Sequence, residues 1–465
     1  MTSNSSEKLS LPITTIERNF LSVIDDVNAG LLPFEKFWVS CYKTAQPSVH
    51  AKIQAELDER NRDLVLLKSI EGDVAIEKGS DGVYTISCET LGIRSIPVPL
   101  PVQEYLDPER SNPQRPQRIT AFDVSPDSTR FATGFLDGSV FLYPISPSST
   151  SPSPTQRITP SIPSRATARL HLSTITSLQF FPSSRVLLCA GADFSFSILP
   201  ADLPDASSST THPSTSTSTS TSVRLTPARV LRGHTRPITA TAILGRGKTL
   251  LSASLDGSVR LWAAASAAEL ARVHAAHPIL SMVLDSPGAG KEETDEAYTH
   301  TVVCGLQDGS VQVFTLRTPA NTFEPVYRTP PASAAGGVSA LAYSPESRRL
   351  VAGSSRGVVS VWEVGDAPAA KLIVSFARGE AGVEGLAFLP SGEGGELRIA
   401  VATADGLPYV ASMVGAEVRV HCELVGGEVD PVRVVRVRTA VAHEGKAVSD
   451  VWTAGDDAVV RRWRI

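Results

Sequence analysis

His234, Ser252 or Ser254, Asp256 and Trp262 are the residues whose types come nearest to a reaction centre. A serine, a histidine and an aspartate are the parts of an acyl-transfer triad. The same side chains also suit a buried hydrogen-bonded chain, with a turn aspartate accepting from the histidine and the histidine linked to a strand hydroxyl and an indole. Other chemical signatures fail on their own residues. Gly288-Ala289-Gly290-Lys291 is similar to the end of a phosphate-binding loop, but Asp285 stands where its first glycine belongs and Glu292 where a Ser or Thr would hold magnesium. There is no G-x-S-x-G and no H-E-x-x-H. Cys41, Cys88, Cys189, Cys304 and Cys422 form no C-x-x-C pair and no zinc-spaced cluster, so they read as reduced, buried small residues. The expectation is no cofactor, no metal and no catalysis.

The elements that must position these residues repeat. Gly233-His234 opens a unit with strand-like runs 238–243, 249–254 and 258–262, and Asp256-Gly257 forms the hairpin turn between the last two. Asp137-Gly138, Asp193, Asp308-Gly309, Arg356-Gly357, Asp405-Gly406 and Asp456-Asp457 each precede a comparable run. First strands match as well: 120–126, 176–182, 339–345 and 385–390 all end in proline, where no ladder hydrogen bond is lost. The units are those of a WD repeat, in which His, Ser, Asp and Trp form a structural tetrad; only the third carries the full set. The turns lie roughly 50–60 residues apart, longer than a plain repeat of about 40–45. Insertions at 145–164, 204–222, 286–298 and 330–337 make up the difference, and their composition reads as mobile loop.

These features predict an all-β fold: a seven-bladed WD40 β-propeller over residues 116–465, behind a small mostly-β N-terminal domain over 1–115. A third strand ends at the C-terminus, so the outer strand of the last blade is expected from upstream, within residues 91–102. In the N-terminal domain, residues 15–28 read as a short helix, and 49–57, 64–70, 74–77, 83–88 and 93–98 as strands.

A net charge of −5 argues against broad attraction to nucleic acid or anionic membrane. The polar stretch 1–10 has no apolar secretory core, and no run approaches the ~18 apolar residues of a membrane span. A cytoplasmic and nuclear chain, monomeric on its own, is expected. In a WD blade the turns between second and third strands, and the links from one blade to the next, open on the top face. That places Asp137, Asp193, Asp308, Asp405 and Asp457 there, joined by Glu380, Glu384 and Asp430. Three of the four insertions fall on the opposite face. The expectation is an acidic top that receives a basic protein partner.

Several stretches resemble one WD-repeat family, the proteasomal ATPase-associated factor, which includes a regulatory-particle assembly chaperone. They are Trp38-Val39-Ser40-Cys41 with Pro47-Ser48, Tyr84-Thr85-Ile86-Ser87-Cys88, Phe180-Phe181-Pro182-Ser183, residues 245–254, Asp430-Pro431-Val432 and Val459-Val460-Arg461-Arg462. The long Ser/Thr insertions and Ala263, where a WD motif has Asp, depart from it. The resemblance implies a non-catalytic chaperone of the proteasome 19S regulatory particle base. Such a protein binds the C-terminal domain of an AAA ATPase subunit and sterically delays docking on the core particle. The rival classes are a substrate-recognition subunit of a ubiquitin ligase, for which residues 1–115 show no adaptor helix pair, and a general signalling scaffold.

Overall fold

The computed structural model describes residues 8–61, 64–80, 82–147, 155–204, 222–285, 298–364, 370–441 and 447–465 of the 465. Seven antiparallel sheets form the blades. Blade 1 comprises Ile119–Val124, Arg130–Phe135, Ser139–Pro144 and Ala166–Arg169. Blades 2 to 6 run from Ile175–Phe180 to Arg229–Arg232, Ile238–Leu244 to Glu269–His274, Ile279–Leu284 to Thr322–Arg328, Val338–Ser344 to Lys371–Ala377, and Val383–Leu389 to Glu417–Glu423. Blade 7 contains Val432–Val441, Ala447–Gly455 and Val459–Arg464.

The turn residues explain the hairpins. Gly309 and Gly406 adopt φ of 82° and 79°, and a Cβ on either would lie 2.7 Å from a main-chain oxygen, so no other residue fits without displacement. In every blade the first two strands slip register by one residue near the top. In blades 1, 3 and 5 the bulged residue then ties its blade to the next. Thr120 donates to the Ile175 carbonyl at 2.6 Å, Thr239 to that of Ile279 at 2.9 Å and Ser339 to that of Val383 at 2.6 Å. In blades 6 and 7 the bulged pair is Glu384 and Arg433, joined at 3.3 Å.

The elements ahead of blade 1 run up to a strand that serves as the outer strand of blade 7. These are β1 (Leu9–Ser10), β2 (Ile13–Ile16), α1 (Phe20–Asn28), β3 (Phe34–Tyr42), β4 (Val49–Leu57), β5 (Val65–Glu71), β6 (Ala75–Lys78), β7 (Tyr84–Cys88), β8 (Ile93–Val98) and β9 (Gln103–Leu106). β9 pairs antiparallel with the last strand, Val459 opposite Leu106 and Arg462 opposite Gln103. Closure therefore uses residues just beyond the expected 91–102. The cause is local: Pro97, Pro99 and Pro101 remove three ladder donors, and Ile93–Val98 is already paired with β7. Buried polar contacts fix the seam: Arg461 to Glu104 at 3.1 Å and Arg462 to Gln103 at 2.9 Å.

Three further strands add parallel to outer edges: β1 to blade 5, Val223–Arg224 to blade 1, and Gln156–Ile158 to β9. The 145–164 insertion thus carries paired backbone, and 330–337 carries one 3-10 turn, Ser333–Ala335. Most of the insertions at 204–222 and 286–298 lies outside the described residues.

β2–β5 form one sheet and β6–β8 another. The expected helix over 15–28 starts only at Phe20. β-Branched Thr14, Thr15 and Ile16 instead pair with β3. The helix seats Phe20, Val23, Ile24 and Val27, spaced three and four apart, on the sheet. Strand β3 had no counterpart in the sequence reading. The N-terminal domain is not freestanding: Phe37, Ile53, Ile86 and Val98 share one apolar core with Met413, Val418 and Val420 of blade 6. Among the described residues no helix is long and apolar enough to cross a membrane.

Candidate functional site

Four of the five residues that opened the sequence reading meet inside blade 3. His234 lies in the link from blade 2, Asp256 in the turn, Ser252 on the second strand and Trp262 on the third. The Trp262 indole donates to Ser252 Oγ at 2.8 Å, Ser252 Oγ lies 2.7 Å from His234 Nε2, and His234 Nδ1 lies 2.8 Å from Asp256 Oδ2. An ionised carboxylate only accepts, so Nδ1 carries the histidine proton and Nε2 accepts from the hydroxyl. Ser254 belongs elsewhere, donating to the Arg236 carbonyl at 3.0 Å. Burial lowers the His234 pKa against the pull of Asp256. Burial pushes the Asp256 carboxyl up, but hydrogen bonds from Ser258, His234 and two backbone amides outweigh it and hold it well below the usual range.

The order Ser–His–Asp is that of a hydrolytic triad. Its chemistry is blocked because Ser252 is fully buried, so no substrate carbonyl can reach its oxygen. A nucleophile needs a free lone pair within reach of a carbonyl. The arrangement instead stiffens a blade.

The sequence reading missed a partial copy in blade 2. His171 Nδ1 lies 2.8 Å from Asp193 Oδ1, and Ser195 approaches both. The histidine is preceded by Leu170 instead of glycine, which hid it from a Gly-His search. All five cysteines are free and buried, and burial pushes Cys41, Cys304 and Cys422 up to about 12, so they stay protonated. No group of three metal-ligating side chains occurs among the described residues.

The eight top-face acids divide into two sets. Asp137 is paired with Arg110 at 3.1 Å, Asp193 with His171, Asp308 with Arg328, Asp457 with Arg461, and Glu384 with Arg433. Glu384 sits in the inner strand of blade 6, not in the link before it. The four arginines come from neighbouring loops and strands, so the four acids they face project little net charge. Glu380, Asp405 and Asp430 form no salt bridge among the described residues. Burial and then the charges of Asp457, Glu428 and Asp456 raise the Asp430 pKa, which marks a local excess of negative charge. Arg356 replaces the turn aspartate in blade 5, and Arg232 and Arg236 are exposed beside blade 3. The acidic excess is therefore confined to the sector of blades 5 to 7. The N-terminal domain borders that sector: Thr14 N donates to Glu423 at 3.0 Å, Arg378 Nε to the Pro12 carbonyl at 3.0 Å, and Arg18 pairs with Glu428.

Among curated proteins, none matches the chain. The WD domain, G-beta repeat, matches residues 111–143, 225–263 and 325–363. Those stretches end with the third strands of blades 1, 3 and 5, and the last two begin at or near the outer strand of the blade before. Domains of this kind are protein-interaction scaffolds and generally non-catalytic. With these matches set on seven four-stranded blades, the chain carries WD repeats within an all-β propeller.

Proposed function

We propose that the chain is a non-catalytic assembly chaperone for the base of the proteasome 19S regulatory particle. In this reading it binds the C-terminal domain of an AAA ATPase subunit, in cytoplasm and nucleus, and its bulk holds the base back from the core particle. The observation that carries the reading is the family resemblance in the N-terminal domain. Its two stretches form the middle of β3 and all of β7, where Val39, Cys41, Ile86 and Cys88 are core residues. The acid sector of blades 5 to 7 supports it, since Glu380, Asp405 and Asp430 are available to a basic surface. A rigid disc with reversible affinity suffices; no bond need be made or broken.

Affinity purification of the full chain from cells tests it. Co-recovery of regulatory-particle ATPases without mature core particle is the expected result. Asp405→Lys with Asp430→Lys should weaken that recovery about ten-fold or more. Recovery of cullin adaptors in place of ATPases would replace the reading with the ubiquitin-ligase one.

A further inference from the structure

The β2–β5 sheet buries one face and leaves the other open. Along β3, Phe37, Val39 and Cys41 are fully buried, while the alternate residues Phe34, Trp38 and Tyr42 are 51%, 45% and 37% exposed. An open antiparallel face ordinarily carries polar side chains. Here an aromatic recurs every fourth residue, about 14 Å apart at a rise of ~3.4 Å. Ile70 on β5 extends the apolar area. Exposed aromatics gathered on one face have the composition of a binding surface.

The charges on that face select the occupant. Lys36 places its ammonium 5.7 Å from the Phe34 ring, and Lys52 places its own 5.3 Å from the Trp38 ring. Neither forms a salt bridge among the described residues, whereas Lys68 is held by Glu56. Lys36 stands opposite Gln54 and Lys52 opposite Trp38, so the two lysines are diagonal neighbours about 7–8 Å apart. Alternate residues of an extended chain are about 6.6 Å apart and share a face. The ammonium groups themselves lean toward rings four residues apart, and lysine and glutamate side chains are long enough to close that gap. Two carboxylates at that spacing can thus meet both of them, while an apolar side chain further along the same face can cover the indole.

We propose that this face docks an extended acidic segment of a partner protein, of the pattern acid–x–acid with an adjoining apolar residue seated on Trp38. A nucleic acid strand fits less well. Two discrete ammonium groups match two carboxylates, whereas its phosphate charge is continuous and would run past Glu56 and Glu71 on the same sheet. The inference stands apart from the chaperone reading, because it uses none of the top-face acids.

The test is fluorescence anisotropy of the full chain at low salt, with a labelled peptide of alternating Glu and Ser that carries one Leu. Saturable binding is expected, weakened about ten-fold or more by Trp38→Thr and by Lys36→Glu with Lys52→Glu. Asp430→Lys should leave it unchanged. Thermal melts of the sheet variants should match the parent, since these side chains are largely solvent-facing. Absence of saturable binding overturns the proposal, and so does binding that both sheet variants retain. A Trp38-dependent preference for oligothymidylate over the peptide also overturns it and assigns the face to nucleic acid.

Discussion

Blades 2 and 3 hold the same histidine at the same distance from the same turn aspartate, 22 residues in each. Eighteen residues after His234 stands Ser252, and the equivalent position after His171 is Cys189. Trp262 on the third strand of blade 3 is likewise Leu199 in blade 2. Blade 3 therefore completes a chain from indole to carboxylate, while in blade 2 His171 Nε2 is buried without a hydrogen-bond partner among the described residues. The Asp193 side chain is 21% exposed against 7% for Asp256. The difference separates two jobs. The His–Asp half pins the incoming loop to the turn on the top face. The Ser–Trp half anchors that pin in the interior of the blade.

Removing each histidine puts this division to its strongest test. His234→Ala leaves Asp256 and Ser252 short of a partner around a cavity, and should cost about 3 kcal/mol in urea unfolding. His171→Ala removes an unsatisfied nitrogen along with its one strong bond, and should cost about 1 kcal/mol. Equal losses would show that the Ser–Trp half contributes nothing. A smaller effect, of opposite sign, is expected from Cys189→Ser. It offers a hydroxyl to His171 Nε2 and should raise stability by about 1 kcal/mol, read as a higher urea midpoint.

The mildest contrast is with pH. The folded pKa of His234 lies below its ordinary value of 6.5, chiefly because of burial, so the unfolded chain binds more protons as pH falls past that value. Its contribution to stability is whole above about 6.5 and is lost as pH drops below it. Asp256 is depressed as well, and its share is lost only at much lower pH. The urea midpoint should fall between pH 7 and 5.5, and His234→Gln should flatten that fall. The part-buried His421 is shifted in the same direction, chiefly by desolvation, so the slope should shrink, not vanish.

The ring was readable because its signals are local. An acid and a glycine between two apolar runs specify a hairpin within a few residues. The N-terminal domain was less so: β3 mixes Phe, Trp and Tyr with Glu and Lys on both faces, which blurs a period of two. The donated strand was misjudged by a few residues, because pattern could not tell which apolar run around Pro97, Pro99 and Pro101 would find the ring. The top-face acids were visible, but their neutralising arginines were not. Arg110 precedes Asp137 by 27 residues and Arg328 follows Asp308 by 20, separations that only the assembled blades bring together. Ser252 and Ser254 share a face by alternation; depth along the strand decides between them, since Ser252 lies two residues further from the turn and meets the imidazole while Ser254 binds the Arg236 carbonyl.

The seam between β9 and the final strand joins residues such as Glu104 and Arg461, 357 positions apart. A ribosome adding roughly 5–20 residues per second takes roughly 20–70 s to cross that interval. Throughout it, the first half of the fastening is already made and waiting. Strand β9 is thus made well before its partner and locked in place only after it. Nascent chains should keep a free strand edge until Val459–Arg464 has emerged.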